Sequence, residues 1–164
     1  MIYELKNEKI KVLLTTLGGT LASVQDTDGT EYLWQGDSKF WGGQAPVMFP
    51  ICGSLRNDRA VIGGTKTTAM PRHGIVRKKE FELVEKSDNH ISFRIDSDSE
   101  SKNMFPYDFE LYSKYELEDR SIKITYEVVN PSDEVLPFFV GAHPGFMCPF
   151  NQGEEYCDYY LDFE

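Results

Sequence analysis

Hydrophobic and polar residues alternate along most of this chain at a spacing of two, not three or four. The clearest cases lie in its second half. Ile91, Phe93 and Ile95 alternate with polar neighbours, as do Ile122, Ile124, Tyr126 and Val128. A period of two sends successive side chains to opposite faces of an extended strand. The pattern predicts strands over 79–86, 90–96, 109–117 and 121–130. Ser87-Asp88-Asn89 and Glu118-Asp119-Arg120 supply the turns between them.

The first half is more broken. Met1–Leu14 predicts two short strands about a turn at Asn7-Glu8. Gly18-Gly19 leads into a strand over Thr20–Val24, Asp26–Gly29 makes a hairpin turn, and Glu31–Trp34 returns as the partner strand. Asp37–Trp41 fits one helical turn, ended by Gly42-Gly43. Ala45–Cys52 is apolar but holds Pro46 and Pro50, so an irregular buried segment is expected there, not a regular central strand. A small hairpin is expected around Gly63-Gly64. Asp96–Asn103 is polar and predicts an exposed loop. Residues 131–134 turn the chain into a strand over Leu136–Val140, and Tyr156–Phe163 opens another. No segment keeps an amphipathic helical period for three turns. The expected class is all-β, an antiparallel β-sandwich, with no internal repeat.

Composition narrows the classes. At 164 residues, the chain has the length of one domain with a real core. It carries 27 Asp and Glu against 17 Lys and Arg, a formal net charge of −10. That balance argues against nucleic acid or an anionic membrane as partner, and it leaves room for a local basic pocket holding a small anion. The aromatic share of 13% sets it apart from a disordered acidic tail. Cys52, Cys148 and Cys157 are odd in number and irregular in spacing, which gives neither a disulfide framework nor a zinc ribbon. No apolar leader opens the chain, and a reducing cytoplasm is the expected compartment.

Candidate chemistry gathers in two loops. In Pro137–Phe150, PFFVGAHPGFMCPF, an apolar run feeds into His143, and Pro144 then stops the strand. In Met70–Gly74, MPRHG, His73 lies between Arg72 and a glycine. Loops at one end of a sandwich cluster, so two distant histidines can share one cleft. His90, at a hairpin start among polar residues, is expected to be a solvated turn residue. Two well-placed histidines fall short of the three ligands a zinc site needs, and neither HxH nor HExxH occurs, so no metal is expected. Cys52 and Cys148 lie in apolar runs, and a buried cysteine is usually inert. Arg56, Arg59, Arg72 and Asn57 are further polar candidates.

Five stretches in order resemble one family. They are Gly18–Ser23, the APVMFPICG run of Ala45–Gly53, Pro71-Arg72-His73-Gly74, Phe105–Phe109 and Gly141–Phe146. Together they are similar to the aldose 1-epimerases, the galactose mutarotase-like family, and most of all to its lactose-operon-associated branch. The resemblance runs over essentially the whole chain. It implies a large twisted β-sandwich, the mutarotase-like supersandwich, and interconversion of the α and β anomers of a free aldohexose without a cofactor. It implies His143 as the general acid on the ring oxygen and His73 as a sugar-binding partner. It places Arg56 and Asn57 near the family's Asn-Arg sugar-binding pair, in reversed order and shifted spacing. The family's general base is a glutamate from the C-terminal half of chains up to twice this length. The base is therefore expected beyond residue 164, Glu164 itself is not assigned that role, and the 164 residues are expected to form a truncated sandwich, inactive or nearly so alone. Two alternatives stand beside this. A hexose-phosphate epimerase-like enzyme would want arginines about its pocket, and a non-catalytic carbohydrate-binding sandwich would need no base.

Overall fold

The computed structural model describes residues 1–163. Three N-terminal strands, β1 (Ile2–Lys6), β2 (Ile10–Thr15) and β3 (Thr20–Asp26), form an antiparallel sheet in the order β1-β2-β3. Asn7 makes the first turn, its Oδ1 accepting the amides of Lys9 and Ile10. A two-residue strand β4 (Val47–Met48) follows, then a hairpin of β5 (Arg59–Ile62) and β6 (Lys66–Ala69). Four longer strands come next: β7 (Glu82–Lys86), β8 (His90–Asp96), β9 (Glu110–Glu118) and β10 (Ser121–Val129). They pair antiparallel in the order β10-β9-β8-β7. The last strand, β11 (Gly141–Ala142), pairs antiparallel with β4. The molecule is an all-β antiparallel sandwich, as its alternation predicts.

Inward residues of both main sheets share one core. β9 buries Leu111, Ser113, Tyr115 and Leu117 at every second position, β8 buries Ile91 and Phe93, and β2 buries Ile10, Val12 and Leu14. Each fully buried large apolar side chain is worth about 1.5–3 kcal/mol over its exposed state. Tyr3 of β1 meets Phe93 of β8 with ring centroids 5.9 Å apart. The buried Tyr115 hydroxyl donates to the Gly19 carbonyl at 2.8 Å, fastening β9 to the loop before β3. At Gly19, φ is +57°, and an added Cβ would lie 2.6 Å from the Phe81 ring.

The structure corrects four expectations. Asp96–Asn103 is not all loop, because Ser99–Met104 forms a short helix, α1. Asp98 caps it: its carboxylate accepts the Ser101 amide, while Ser101 Oγ accepts the Asp98 amide. Glu31–Trp34 makes only isolated bridges, Gln25 with Glu31 and Leu33 with Phe146. The Glu31 carboxylate itself takes the Val24 and Leu33 amides, where strand partners would otherwise serve. Leu136–Val140 has no ladder of its own. Pro137 lacks a donor, and regular pairing begins only at Gly141. Tyr156–Phe163 is a 3-10 turn at Tyr156–Asp158 followed by unpaired chain, with Tyr156, Tyr160, Leu161 and Phe163 exposed. Among the described residues no helix is long and apolar enough to cross a membrane.

Candidate functional site

The site is organised by the proline-broken segment 44–50. Its interruptions limit β4 to two residues, yet the segment is hydrogen-bonded along both edges. On one edge, Gly145 N–H donates to Gln44 O at 2.7 Å, His143 N–H to Pro46 O at 3.1 Å, and Phe139 N–H to Pro50 O at 2.9 Å. On the other, Ile75 N–H donates to Phe49 O at 2.9 Å, within a parallel bridge between Phe49 and Gly74. The Phe49 ring, wholly buried, anchors the segment against Phe105 and Phe109 at centroid distances of 6.3 and 4.8 Å. One irregular strip therefore carries both histidine loops.

Each loop is shaped by close approach. Gly74 sits at φ +79°, and a Cβ there would lie 2.0 Å from Phe49 O, so only glycine allows the approach. His73 itself has φ +67°, an uncommon conformation for a side-chain-bearing residue. It is held by its backbone, whose N–H donates to Gly53 O at 2.7 Å. Its Nδ1 faces the Gly53 amide at 3.1 Å, and its Nε2 faces Arg72 Nε at 3.0 Å. On the other side, a Cβ at Gly145 would lie 2.7 Å from the Trp41 ring. Trp41 meets the His143 ring edge-on, with centroids 5.0 Å apart. Trp34 Nε1 donates to Trp41 O at 2.7 Å and fixes that loop.

The two imidazoles meet. Their centroids are 6.0 Å apart and their planes differ by 21°. His73 and His143 line one hollow of about 700 Å³ together with Trp41, Gly42, Gly43, Pro46, Arg72, Arg77 and Lys78. Its size is in the range of small-molecule sites, roughly 300–1,000 Å³. Among the described residues no carboxylate lines it. The His73 pKa is lowered, first by burial of the ring and then by the nearby positive charges of Arg72, Arg77 and His143. A neutral His73 is the result, able to donate from one ring nitrogen and accept at the other. Imidazole donors, guanidinium and ammonium groups and an indole face suit a polar ligand with an apolar side.

Other sequence candidates lie elsewhere. Arg56 and Asn57 form an exposed 3-10 turn at Arg56–Asp58 and do not line the hollow. Asn57 there has φ +55°. Arg59 begins β5, also exposed. His90 opens β8 with its Nε2 3.6 Å from a Glu85 carboxylate oxygen. The apolar surroundings of Cys52 and Cys148 suggest burial, but both are exposed, as is Cys157. Cys52 lies just past the buried end of its run, at Ile51, and the run around Cys148 lies at the surface. The described residues hold no group of three His, Cys, Asp or Glu able to bind a metal. Sequence reasoning missed Trp41, Arg77 and Lys78. A signal for the latter two was present, since Arg72 to Lys79 carries four cations in eight positions of an acidic chain.

Comparison with known proteins places this geometry. The plasmid-encoded and chromosomal LacX proteins of Lactococcus lactis subsp. lactis are each 47% identical to it over 99% of this chain. The chain spans 56% of the length of each. A galactose mutarotase related enzyme from Lactobacillus acidophilus superposes with a TM-score of 0.89 at 36% identity. The match covers 94% of this chain and 52% of that one. A galactose mutarotase-like protein from Lactobacillus casei gives 0.85 at 33% identity, covering 89% of this chain and 50% of that one. The aldose 1-epimerase family matches over residues 1–158, and the chain belongs to that family.

Proposed function

We propose that this chain supplies the acid side and the sugar-positioning side of an aldose 1-epimerase-like site. The observation that carries the reading is the pair of near-parallel imidazoles facing one sugar-sized hollow. In this reading a hexopyranose lies in the hollow with one apolar face toward Trp41. A base removes the proton of the anomeric hydroxyl, the C1–O5 bond breaks, and protonated His143 gives its proton to O5. Rotation about C1–C2 presents the other face of the aldehyde. O5 then adds back, its proton returns to His143, and the new anomeric oxygen takes the proton held by the base. This is general acid–base catalysis, with an imidazole as one of the two proton carriers. His73, kept neutral, hydrogen-bonds the sugar and holds O5 toward His143.

The base is not assigned to these residues. Among the described residues no carboxylate lines the hollow, and the chain spans about half the length of its relatives. That same gap favours a second reading, in which these residues alone bind a sugar without turning it over. Anomer exchange of galactose and glucose by polarimetry, together with NMR of the histidine rings, tests both. The expected result is that sugar shifts the ring signals of His73 and His143 while exchange stays near the uncatalysed rate. Rapid exchange by the 164-residue chain would overturn the assignment of the base outside it. Unmoved ring signals would overturn the sugar site.

A further inference from the structure

His73 has a donor aimed at each of its ring nitrogens: the Gly53 amide faces Nδ1 from 3.1 Å, and Arg72 Nε faces Nε2 from 3.0 Å. A neutral imidazole has one lone pair and one N–H, so it accepts from only one of the two. The two donors are not equal. The Gly53 amide belongs to the backbone, and residues 53 and 73 are already tied by the His73 N–H donating to Gly53 O at 2.7 Å. Both residues hold positive φ, +89° at Gly53 and +67° at His73, which shapes the turns that bring the ring edge to that amide. Arg72 is an exposed side chain on a flexible stem. The amide therefore takes the lone pair at Nδ1, and the proton of the neutral ring sits on Nε2. The Arg72 N–H is left pointing at another N–H, and a hydrogen bond left unmade in this way costs free energy.

We propose, resting on the sugar-site reading above, that Arg72 is a ligand-binding residue, and that a hydroxyl oxygen of the sugar enters between Arg72 Nε and His73 Nε2 and accepts from both. A hydroxyl oxygen has two lone pairs, one for each donor. Its entry turns two opposed donors into two hydrogen bonds, one of them from a charged group. Arg72, His73 and His143 line the same hollow, so an oxygen held this way belongs to a sugar that also faces His143. The oxygen in the cradle is a hydroxyl and not O5, because O5 needs its lone pair for the His143 proton. Gly53 is the positioning residue: its amide decides that His73 meets the sugar as a donor.

Long-range proton–nitrogen NMR of the 164-residue chain at mildly alkaline pH reads which ring nitrogen carries the proton, and titration with galactose and glucose gives the affinity. The free protein is expected to carry the His73 proton on Nε2. Saturating sugar should keep that tautomer and move the Nε2 and Arg72 Nε–H signals together. Arg72→Ala should keep the tautomer and weaken sugar binding about tenfold. Arg72→Lys, which returns one charged donor, should recover part of the loss. A proton on Nδ1 in the free chain, or a tautomer that changes in Arg72→Ala, would overturn the proposal, because Arg72 would then hold the lone pair. Undiminished affinity in Arg72→Ala would overturn it as well and leave the sugar site itself standing. Should Arg72→Ala lose its amide dispersion, the unaltered chain decides: an Arg72 Nε–H signal that moves with sugar supports the cradle, and one that stays still overturns it. Failure of both sugars to bind or to move any ring signal retires this inference together with the reading beneath it.

Discussion

His73 and Gly53 hold each other by hydrogen bonds in opposite directions. The His73 amide donates to the Gly53 carbonyl at 2.7 Å, and the Gly53 amide points at His73 Nδ1 from 3.1 Å. Arg72 Nε approaches the other ring nitrogen at 3.0 Å. A neutral imidazole has one lone pair to offer these two donors, and a protonated one has none. Proton uptake therefore breaks this arrangement, in addition to the cost of charging a partly buried ring beside arginines.

The consequence for stability has a definite sign. The folded-state pKa of His73 lies below the usual value of 6.5. The unfolded chain binds this proton first as pH falls, so stability is full above about pH 6.5 and declines below it until the folded ring also titrates. His73→Asn, a residue that tolerates the positive φ, should remove this part of the decline. Denaturant midpoints of both proteins at pH 7.5, 6.0 and 5.0 measure it. Parallel curves would show that His73 is not the titrating group.

Gly74 and Gly64 separate steric contact from backbone strain. Both have φ near +80°, but an added Cβ at Gly64 meets nothing within 4 Å, while at Gly74 it strikes the Phe49 carbonyl. Gly64→Ala should cost about 1–2 kcal/mol, the left-handed penalty alone. Gly74→Ala should cost at least about 3 kcal/mol and displace the His73 loop. Urea unfolding of the two variants gives the comparison, and equal losses would contradict the close approach.

Tyr115 tests the fastening between the layers. Tyr115→Phe keeps the ring and deletes the hydroxyl that bonds Gly19 O. A loss of about 1 kcal/mol is expected. Phe49→Ala, by contrast, opens a cavity beneath segment 44–50 and should cost about 3–5 kcal/mol. Chemical denaturation ranks them, and a Tyr115→Phe loss as large as that of Phe49→Ala would mean the hydroxyl does more than bond one carbonyl.

Trp41 should report on occupancy. Its ring lies edge-on to His143 and lines the hollow, while Trp34 is tied to the Trp41 carbonyl and does not line it. Saturating sugar should change the intrinsic fluorescence of the unaltered protein and leave Trp41→Phe nearly unresponsive. A response carried instead by Trp34 would move the ligand away from the imidazoles.

The sheets were legible because alternation survives in long antiparallel strands. β8, β9 and β10 fall close to where Ile91, Phe93 and Ile122–Val128 put them. Helix α1 was not legible by periodicity, since six residues with only Ser101 buried show no apolar stripe. Its capping pair, Asp98 and Ser101, was the available sign. Leu136–Val140 misleads because its apolar run suggests a strand, while Pro137 lacks a donor, Phe139 is 71% exposed and regular pairing begins only at Gly141. The histidine pair was anticipated from two loops, and its geometry was not. Nothing local in the sequence says that Phe49 meets Gly74 while Pro46 meets His143. Arg77 and Lys78 showed as a run of cations, but their place in the hollow is set by where the chain turns after Ile75 and Val76 go into the core.

The two-edged strip at 44–50 acts as a shared axle for the imidazoles. A substitution that shifts Phe49 or Pro46 carries His73 and His143 along together and leaves their mutual spacing largely intact. That gap is widened or narrowed from the loops themselves, at Gly53, Gly74 or Gly145.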